Sequence, residues 1–437
     1  MAAIQAEPPA KFSKKFLFVS NYGDAADLAW QLKKEGNDVR MHISDEDEKE
    51  VGDGFFEKID EWKPSVDWAD VIVFDDIGYG KMADQFRKKG KIVVGGSEYT
   101  DRLEMHREFG QAEMESVGMG VLSHWDFDDF SAAIEFLQKN PGRYVFKPSG
   151  KEIDWEVKNL LFIGQEEDAK DLIEVLEHNK KAWSRKIKHF QIQKFASGVE
   201  IAVGAFFNGK DFVYPVNINF EHKKLFPGDI GPSTGEMGTL MFWSPANKLF
   251  HATLEKMHEK LKASGYVGYI DINCIVNSKG VYPLEFTARF GYPTISIQME
   301  GVVSNWGEFL YAIAKGDPFD FKVKNGFQVG VVIAVPPFPY DDDTLSRIYK
   351  DSSLLFKKPN IEGVHLGEVK LVEGDWKLAG GIGYVLVVTG SNSTVDGARR
   401  HCYKRVDNII LQNMFYRTDI GEKWYYESDK LQTWGVL

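Results

Sequence analysis

Asp271, Asn273, Glu285 and Thr287 are the residues whose types and spacing could do chemistry here. They lie between Gly265 and Thr294, where apolar and β-branched residues run from Val267 to Val276 and again from Val281 to Phe286, around Asn-Ser-Lys-Gly. That is the pattern of two antiparallel strands and a tight turn. A three-residue loop of Ser278, Lys279 and a left-handed Gly280 sets Asn273 opposite Glu285 and Asp271 opposite Thr287, so all four side chains share one sheet face. Two carboxylates flanked by neutral oxygen donors repel each other unless a cation lies between them. Hard Mg2+ suits such a set, being commonly held by one or two carboxylates together with substrate phosphates. Arg289, two residues past Thr287, can reach the same phosphates with its planar fork. The alternative is a surface hairpin with solvated acids.

Length and charge bound what must position these groups. A chain of 437 residues is too long for one ordinary core, so two to four domains are expected. With 43% hydrophobic and 27% charged residues the composition is globular. A net charge of −12 argues against a broad basic surface for nucleic acid. The two cysteines, Cys274 and Cys402, exclude a disulfide framework or a four-cysteine zinc site and fit a reducing, cytoplasmic setting. No signal-peptide core and no membrane-length apolar run is present.

The first hundred residues alternate strands (Phe16 to Val19, Val39 to Ile43, Val71 to Phe74, Ile92 to Val94) with helices (Ala25 to Lys34, capped by Asp24, and Lys81 to Lys89). This predicts a small open α/β sheet. The loop Ser20 to Asp24 sits where such sheets bind phosphate, but carries one glycine and no dinucleotide fingerprint. Helices are expected over Leu103 to Met114 and Phe130 to Gln138, then a strand, Tyr144 to Phe146, that delivers Lys147 either as an exposed strand end or as a phosphate contact. The glycine- and proline-rich stretch from Glu221 to Pro245 reads as a long loop, with Ser233, Thr234 and Gly235 in a segment able to cradle an anion or to serve as a mobile connector. Beyond Gly316-Asp317-Pro318, strands at Gln328 to Val335, Val369 to Leu371 and Tyr384 to Thr389 and a helix from Val395 to Asn408 predict an α+β unit.

Four segments in this order resemble the phosphoribosylamine–glycine ligases of the ATP-grasp superfamily. Glu221-His222-Lys223-Lys224 resembles that family's Asp-His-Lys-Arg, and Gly228 to Gly238 its G-D-x-G-P-N-T-G-G-M-G. Leu284 to Gly291 resembles L-E-F-N-x-R-F-G, and Tyr416 to Gly421 resembles Y-R-x-D-I-G. The resemblance implies an N-terminal open α/β domain (residues 1–105), a central ATP-grasp fold (106–325) with a lid subdomain at about 125–195, and a C-terminal α+β domain (326–437). It further implies that ATP lies between lid and sheet. Arg107 and Lys147 would then meet phosphate, the Lys194-Phe195 backbone the adenine, and Glu200 the ribose hydroxyls. Glu285, Thr287 and Asp271 would hold Mg2+ or Mn2+, Arg289 and Lys223 would serve the transferring phosphoryl group, and His222 would join the substrate loop. The implied partners are a small carboxylate and an amine.

The departures are as informative as the matches. The family's G-N-G-G-R-E-H-A is here Ser20-Asn21-Tyr22-Gly23-Asp24-Ala25-Ala26-Asp27, without its Arg, Glu and His. Arg107 stands for a lysine, Thr287 for an asparagine, and Tyr292 and Thr294 for two acids. The lid glycines are largely replaced, leaving Lys151 or Lys158 to cover phosphate. These changes leave three readings: a divergent carboxylate–amine ligase, a weakened ATP-grasp module that binds without turnover, and an authentic enzyme of purine synthesis.

Overall fold

Short, fully apolar strands need cover on both faces, and in the first sheet helices supply it. The computed structural model describes residues 12–149, 157, 160–340 and 342–437. Lys151 and Lys158 lie outside the described residues. Five parallel strands form the first sheet in the order Glu57–Lys58, Asp38–Ile43, Lys15–Ser20, Val71–Phe74, Val93–Val94. Helix Ala26–Lys34 buries Leu28, Ala29 and Leu32 against it. Asp24 does not cap this helix: Ala25 holds the N-cap position with no side-chain bond, and Asp24 falls one residue too early.

An antiparallel eight-stranded sheet dominates the rest. Its order is Gly280–Thr287, Val267–Asn277, Val199–Asn208, Phe212–Glu221, Gly238–Ser244, Phe327–Ala334, Tyr384–Asn392, Val364–Leu366. Phe327–Ala334 hydrogen-bonds to Gly238–Ser244, so the sheet passes from the centre of the chain into its last hundred residues without a break. A separate sheet, His124–Phe127, His189–Lys194, Tyr144–Ser149 and Phe162–Ile163, stands over one end with helices Phe130–Lys139 and Lys170–Lys186. It has its own core, in which Phe130, Phe146 and Phe190 meet with Leu172 and Leu176.

The structure corrects several expected elements. The helix expected from Leu103 to Met114 is two, Glu98–Met105 and Arg107–Ser116, broken by extended backbone at His106. Ser97 and Thr100 cap the first reciprocally. Glu221 to Pro245 is not a structureless loop. It holds a hairpin, Lys224–Phe226 with Ile230–Ser233, and then the buried strand Gly238–Ser244, whose Leu240 and Met241 enter the core.

The expected hairpin register is present, reached by another route. Asp271 faces Thr287 and Asn273 faces Glu285, yet the turn has two residues, with Asn277 opposite Gly280, and Gly280 is not left-handed. The register shifts between Asn273 and Cys274, next to Pro283. Proline donates no ladder hydrogen bond, so a bulge there costs little. The extra residue, Leu284, restores the alignment that the shorter turn would have lost.

The C-terminal motif Tyr416 to Gly421 locks the small hairpin. Arg417, 1% exposed, donates to Lys224 O (2.9 Å), Asp229 Oδ1 (2.9 Å) and Asp419 Oδ1 (2.8 Å), while Asp419 Oδ2 accepts from Gly228 N (2.9 Å). Removing one member of such a network strands the others. Arg417→Ala should lower stability by about 3 kcal/mol, read as a shift in the urea midpoint. An unchanged midpoint would mean that water satisfies Asp229 and Asp419 equally well.

Candidate functional site

The end of the central sheet beneath the smaller sheet gathers most of the expected site residues. Lys223, just past the end of Phe212–Glu221, reaches Glu200 Oε1 (3.1 Å), Glu221 Oε2 (3.4 Å) and Glu285 Oε1 (3.4 Å). Burial works against its ammonium, but the three carboxylates hold its pKa well above the usual lysine value. Lys223 in turn holds Glu285 below the usual range, against burial and with help from Lys147 and Arg107. Lys147 descends from the overlying strand Tyr144–Ser149. Burial, with Arg107 and Lys223 nearby, lowers its pKa to about 8, and Glu285 and Glu200 act in the opposite sense. Arg107 donates to Pro148 O (3.0 Å) and, with Ser149 and Glu285, lines a cavity of ≈ 170 Å3. Three cations thus converge on a cleft floored by glutamates, a setting that stabilises a polyphosphate.

Asp271 and Thr287 form the next layer. Burial, then Glu221 and Glu104, push Asp271 well up, and burial with Glu221 does the same to Glu236. Asn273 donates to Glu221 Oε2 (2.9 Å), and among the described residues neither Asn273 Oδ1 nor Glu236 Oε1 has a partner. Among the described residues no three His, Cys, Asp or Glu side chains converge as a metal site. The cation expected between the hairpin carboxylates is therefore not the only one available: Glu285 engages the Lys223 ammonium. The donors are all oxygens, two of them orphaned, which suits a hard cation arriving with nucleotide phosphates. Arg289 pairs with Glu104 (3.2 Å) and Asp76 (3.5 Å), and Ala288 N donates to Glu104 (2.7 Å).

Other expected residues lie apart from this cluster. The Lys194 and Phe195 amides donate to Ser123 O (2.8 Å) and Arg143 O (2.9 Å), and Phe195 borders a separate cleft of ≈ 560 Å3 with Ser197, Asn277 and Tyr282. His222 is buried, with both ring nitrogens unpartnered among the described residues, and burial, reinforced by Lys423 and Arg417, depresses its pKa to about 3. Thr234 N and Oγ1 both donate to Lys223 O (2.7 and 2.9 Å), which fixes the lysine rather than cradling an anion. Ser233 pairs with Lys224 in the hairpin, and Gly235 is exposed. Glu104, Asp76, Glu221 and Glu236 were not singled out from sequence. Only Glu221 carried a signal, as the acid of the Glu-His-Lys-Lys segment.

Residues 105–295 match the sequence model for the phosphoribosylglycinamide synthetase ATP-grasp (A) domain, and residues 328–423 that for the same synthetase's C domain. The chain is an ATP-grasp ligase. It is 25% identical over 360 residues to the phosphoribosylamine–glycine ligase of Streptococcus pneumoniae, covering 80% of this chain and 82% of that protein. The Listeria monocytogenes ligase is 26% identical over 353 residues, covering 78% and 81%. The crystal structure of the Thermotoga maritima phosphoribosylamine–glycine ligase superimposes with a TM-score of 0.69 at 20% identity, over 93% of this chain and 100% of that one. A biotin carboxylase from Campylobacter jejuni gives 0.63 at 13% identity, over 96% and 97%. No helix among the described residues is long and apolar enough to cross a membrane.

Two amides of the ligase's first loop are engaged by its own side chains and by Asp75. Gly23 N donates to Ser20 Oγ (2.7 Å) and Ala25 N to the buried Asp75 Oδ2 (3.2 Å), so two amides at the helix start are already engaged. Asp24 faces the adjoining cavity, open to water yet walled by protein. Burial and Asp76 raise its pKa to about 6, with Arg289 opposing. Across the cavity Glu48, 3% exposed, accepts from Gly381 N (2.8 Å) through Oε1, while Oε2 has no partner among the described residues. Burial, then the acids Asp45, Asp24 and Asp47, push its pKa up to about 7. A folded-state pKa above the ordinary carboxyl value means that the native state holds the proton more tightly. The contribution is fully present below the ordinary value of 4.5 and is lost as pH rises through about 7. The melting temperature should therefore fall more steeply between pH 5 and 8 in the native ligase than in Glu48→Gln. Parallel profiles would show that Glu48 is ionised without penalty.

Proposed function

We propose that the ligase joins a carboxylate to an amine through an acyl phosphate, and that its acceptor amine carries no phosphate at the first loop. A carboxylate oxygen attacks the γ-phosphorus and ADP leaves. The amine nitrogen then attacks the acyl carbon, phosphate departs, and the nitrogen loses a proton. The convergence of Arg107, Lys147 and Lys223 on Glu285 carries the first half of this reading, since fixed cations at a partly desolvated cleft stabilise charge on a transferring phosphoryl group. Glu285, Asp271, Thr287 and the free Asn273 carbonyl would hold Mg2+, which supplies further neutralisation of phosphate charge. Arg289, fixed by Glu104 and Asp76, would orient the phosphoryl acceptor, and Glu200 the ribose.

The second half rests on the first loop. A sugar phosphate needs free amides and cations, whereas here the amides of Gly23 and Ala25 are taken, and Asp24, Asp75 and Asp76 surround the position. Glu285→Gln should abolish ADP release in a chain that still folds, with a melting temperature lowered by loss of the Lys223 pair. Thr287→Asn should preserve or raise turnover, because an amide oxygen can replace the hydroxyl, and loss of turnover in a folded variant would instead assign Thr287 to packing. Phosphoribosylamine with glycine should give no ADP above background. Formation of glycinamide ribonucleotide by the purified chain would return it to purine synthesis.

A further inference from the structure

Lys223 is held through its backbone as firmly as through its ammonium. Glu221 to Lys224 leave the central sheet at the end of Phe212–Glu221, where a peptide ordinarily turns its carbonyls to water. Here all four consecutive carbonyls have protein donors. His222 O accepts from Met237 N (2.8 Å), and Lys223 O from Thr234 N (2.7 Å) and Oγ1 (2.9 Å), all within the glycine-rich segment. The outer two accept from cations near the C-terminus: Glu221 O from Lys423 Nζ (2.9 Å) and Lys224 O from Arg417 Nη1 (2.9 Å). The same two cations meet again at Asp229, at 3.3 and 2.9 Å, and Asp229 is left-handed (φ 56°), a conformation uncommon outside glycine. Lys423 opens the helix Lys423–Thr433, whose next residue, Trp424, packs edge-on against Phe220 and Phe242 of the sheet, so its own backbone is anchored.

We propose that Lys423 is a positioning residue for phosphoryl transfer: by holding the Glu221 carbonyl and Asp229 it fixes the peptide from which the Lys223 ammonium is placed among Glu200, Glu221 and Glu285, a role that rests on the reading of Lys223 as a phosphate-facing cation. A lysine ammonium rides on a flexible four-carbon stem, so where it rests follows the tilt of its own peptide, and a site that stabilises developing charge needs that tilt set in advance. Lys423 touches none of the three carboxylates; among the described residues its ammonium meets Glu221 O and Asp229 Oδ2. It acts through Lys223, with Thr234 gripping the same peptide from the other side.

The test is a double-mutant cycle on the full chain, read as calorimetric affinities for the β,γ-imido analogue of ATP with Mg2+ and for adenosine, which lacks the phosphates. Lys223→Met should weaken the analogue at least tenfold and leave adenosine within threefold. Lys423→Met, similar in length but uncharged, should weaken the analogue at least fivefold, again sparing adenosine. Added to Lys223→Met it should cost less than a further twofold, since a misplaced lysine and an absent one serve the phosphates alike. An analogue affinity in Lys423→Met within twofold of the native chain, equal weakening of both ligands, or an effect that multiplies in full on that of Lys223→Met would each overturn the proposal. If Lys423→Met fails to bind adenosine, Thr234→Val, which removes the hydroxyl bond to Lys223 O, replaces it with the same expectations. An unchanged analogue affinity in Lys223→Met would overturn the phosphate reading of that lysine and this role with it, whereas selective loss there beside a native-like Lys423→Met would overturn this role alone.

Discussion

The ammonium of Lys223 is the charge on which the active end of the sheet depends. Glu200, Glu221 and Glu285 come from three strands, Val199–Asn208, Phe212–Glu221 and Gly280–Thr287, and their carboxylates meet only because a cation lies among them. In a partly desolvated cleft their mutual repulsion would otherwise splay the strand ends or protonate the acids. Lys223 is itself held from behind, since its carbonyl accepts both the amide and the hydroxyl of Thr234. The hairpin that supplies Thr234 is pinned by Arg417 from near the C-terminus. A chain of contacts thus runs from Arg417 to the Glu285 carboxylate.

Two compartments of opposite polarity flank Arg289. On one side stand Arg107, Lys147 and Lys223; on the other Asp24, Glu48 and Glu368 line a cavity with no Lys, Arg or His among the described residues. Arg289 is neutralised by Glu104 and Asp76, acids contributed by the helix Glu98–Met105 and by the loop after Val71–Phe74. Sites so divided discriminate by charge, each side repelling what the other attracts.

Much of this was legible in sequence, unevenly. The period-2 pattern around Asp271 and Glu285 gave the correct facing pairs even though the turn was misjudged, because Pro283 restored by a bulge what the shorter turn removed. The strand Gly238–Ser244 was hidden by the glycines and prolines before it, since local composition says nothing of the sheet waiting on either side. Helix Lys170–Lys186 escaped notice because only Leu172 and Leu176 of its residues are buried, too thin an apolar stripe to stand out. The cationic side of the site was readable from short motifs. Its acidic side was not: Glu48 and Glu368 lie 320 residues apart and meet only through tertiary packing.

The unbroken central sheet also limits how this chain can be divided. Phe327–Ala334 is hydrogen-bonded on both sides, to Gly238–Ser244 and to Tyr384–Asn392. Cutting the chain ahead of Phe327 would leave Gly238–Ser244, with its apolar Leu240, Met241 and Phe242, as a bare sheet edge. Edges of that kind recruit strands from other molecules. The ATP-grasp portion alone is therefore a candidate for aggregation rather than for an autonomous enzyme, and the C-terminal strands serve it as a shield against its own copies.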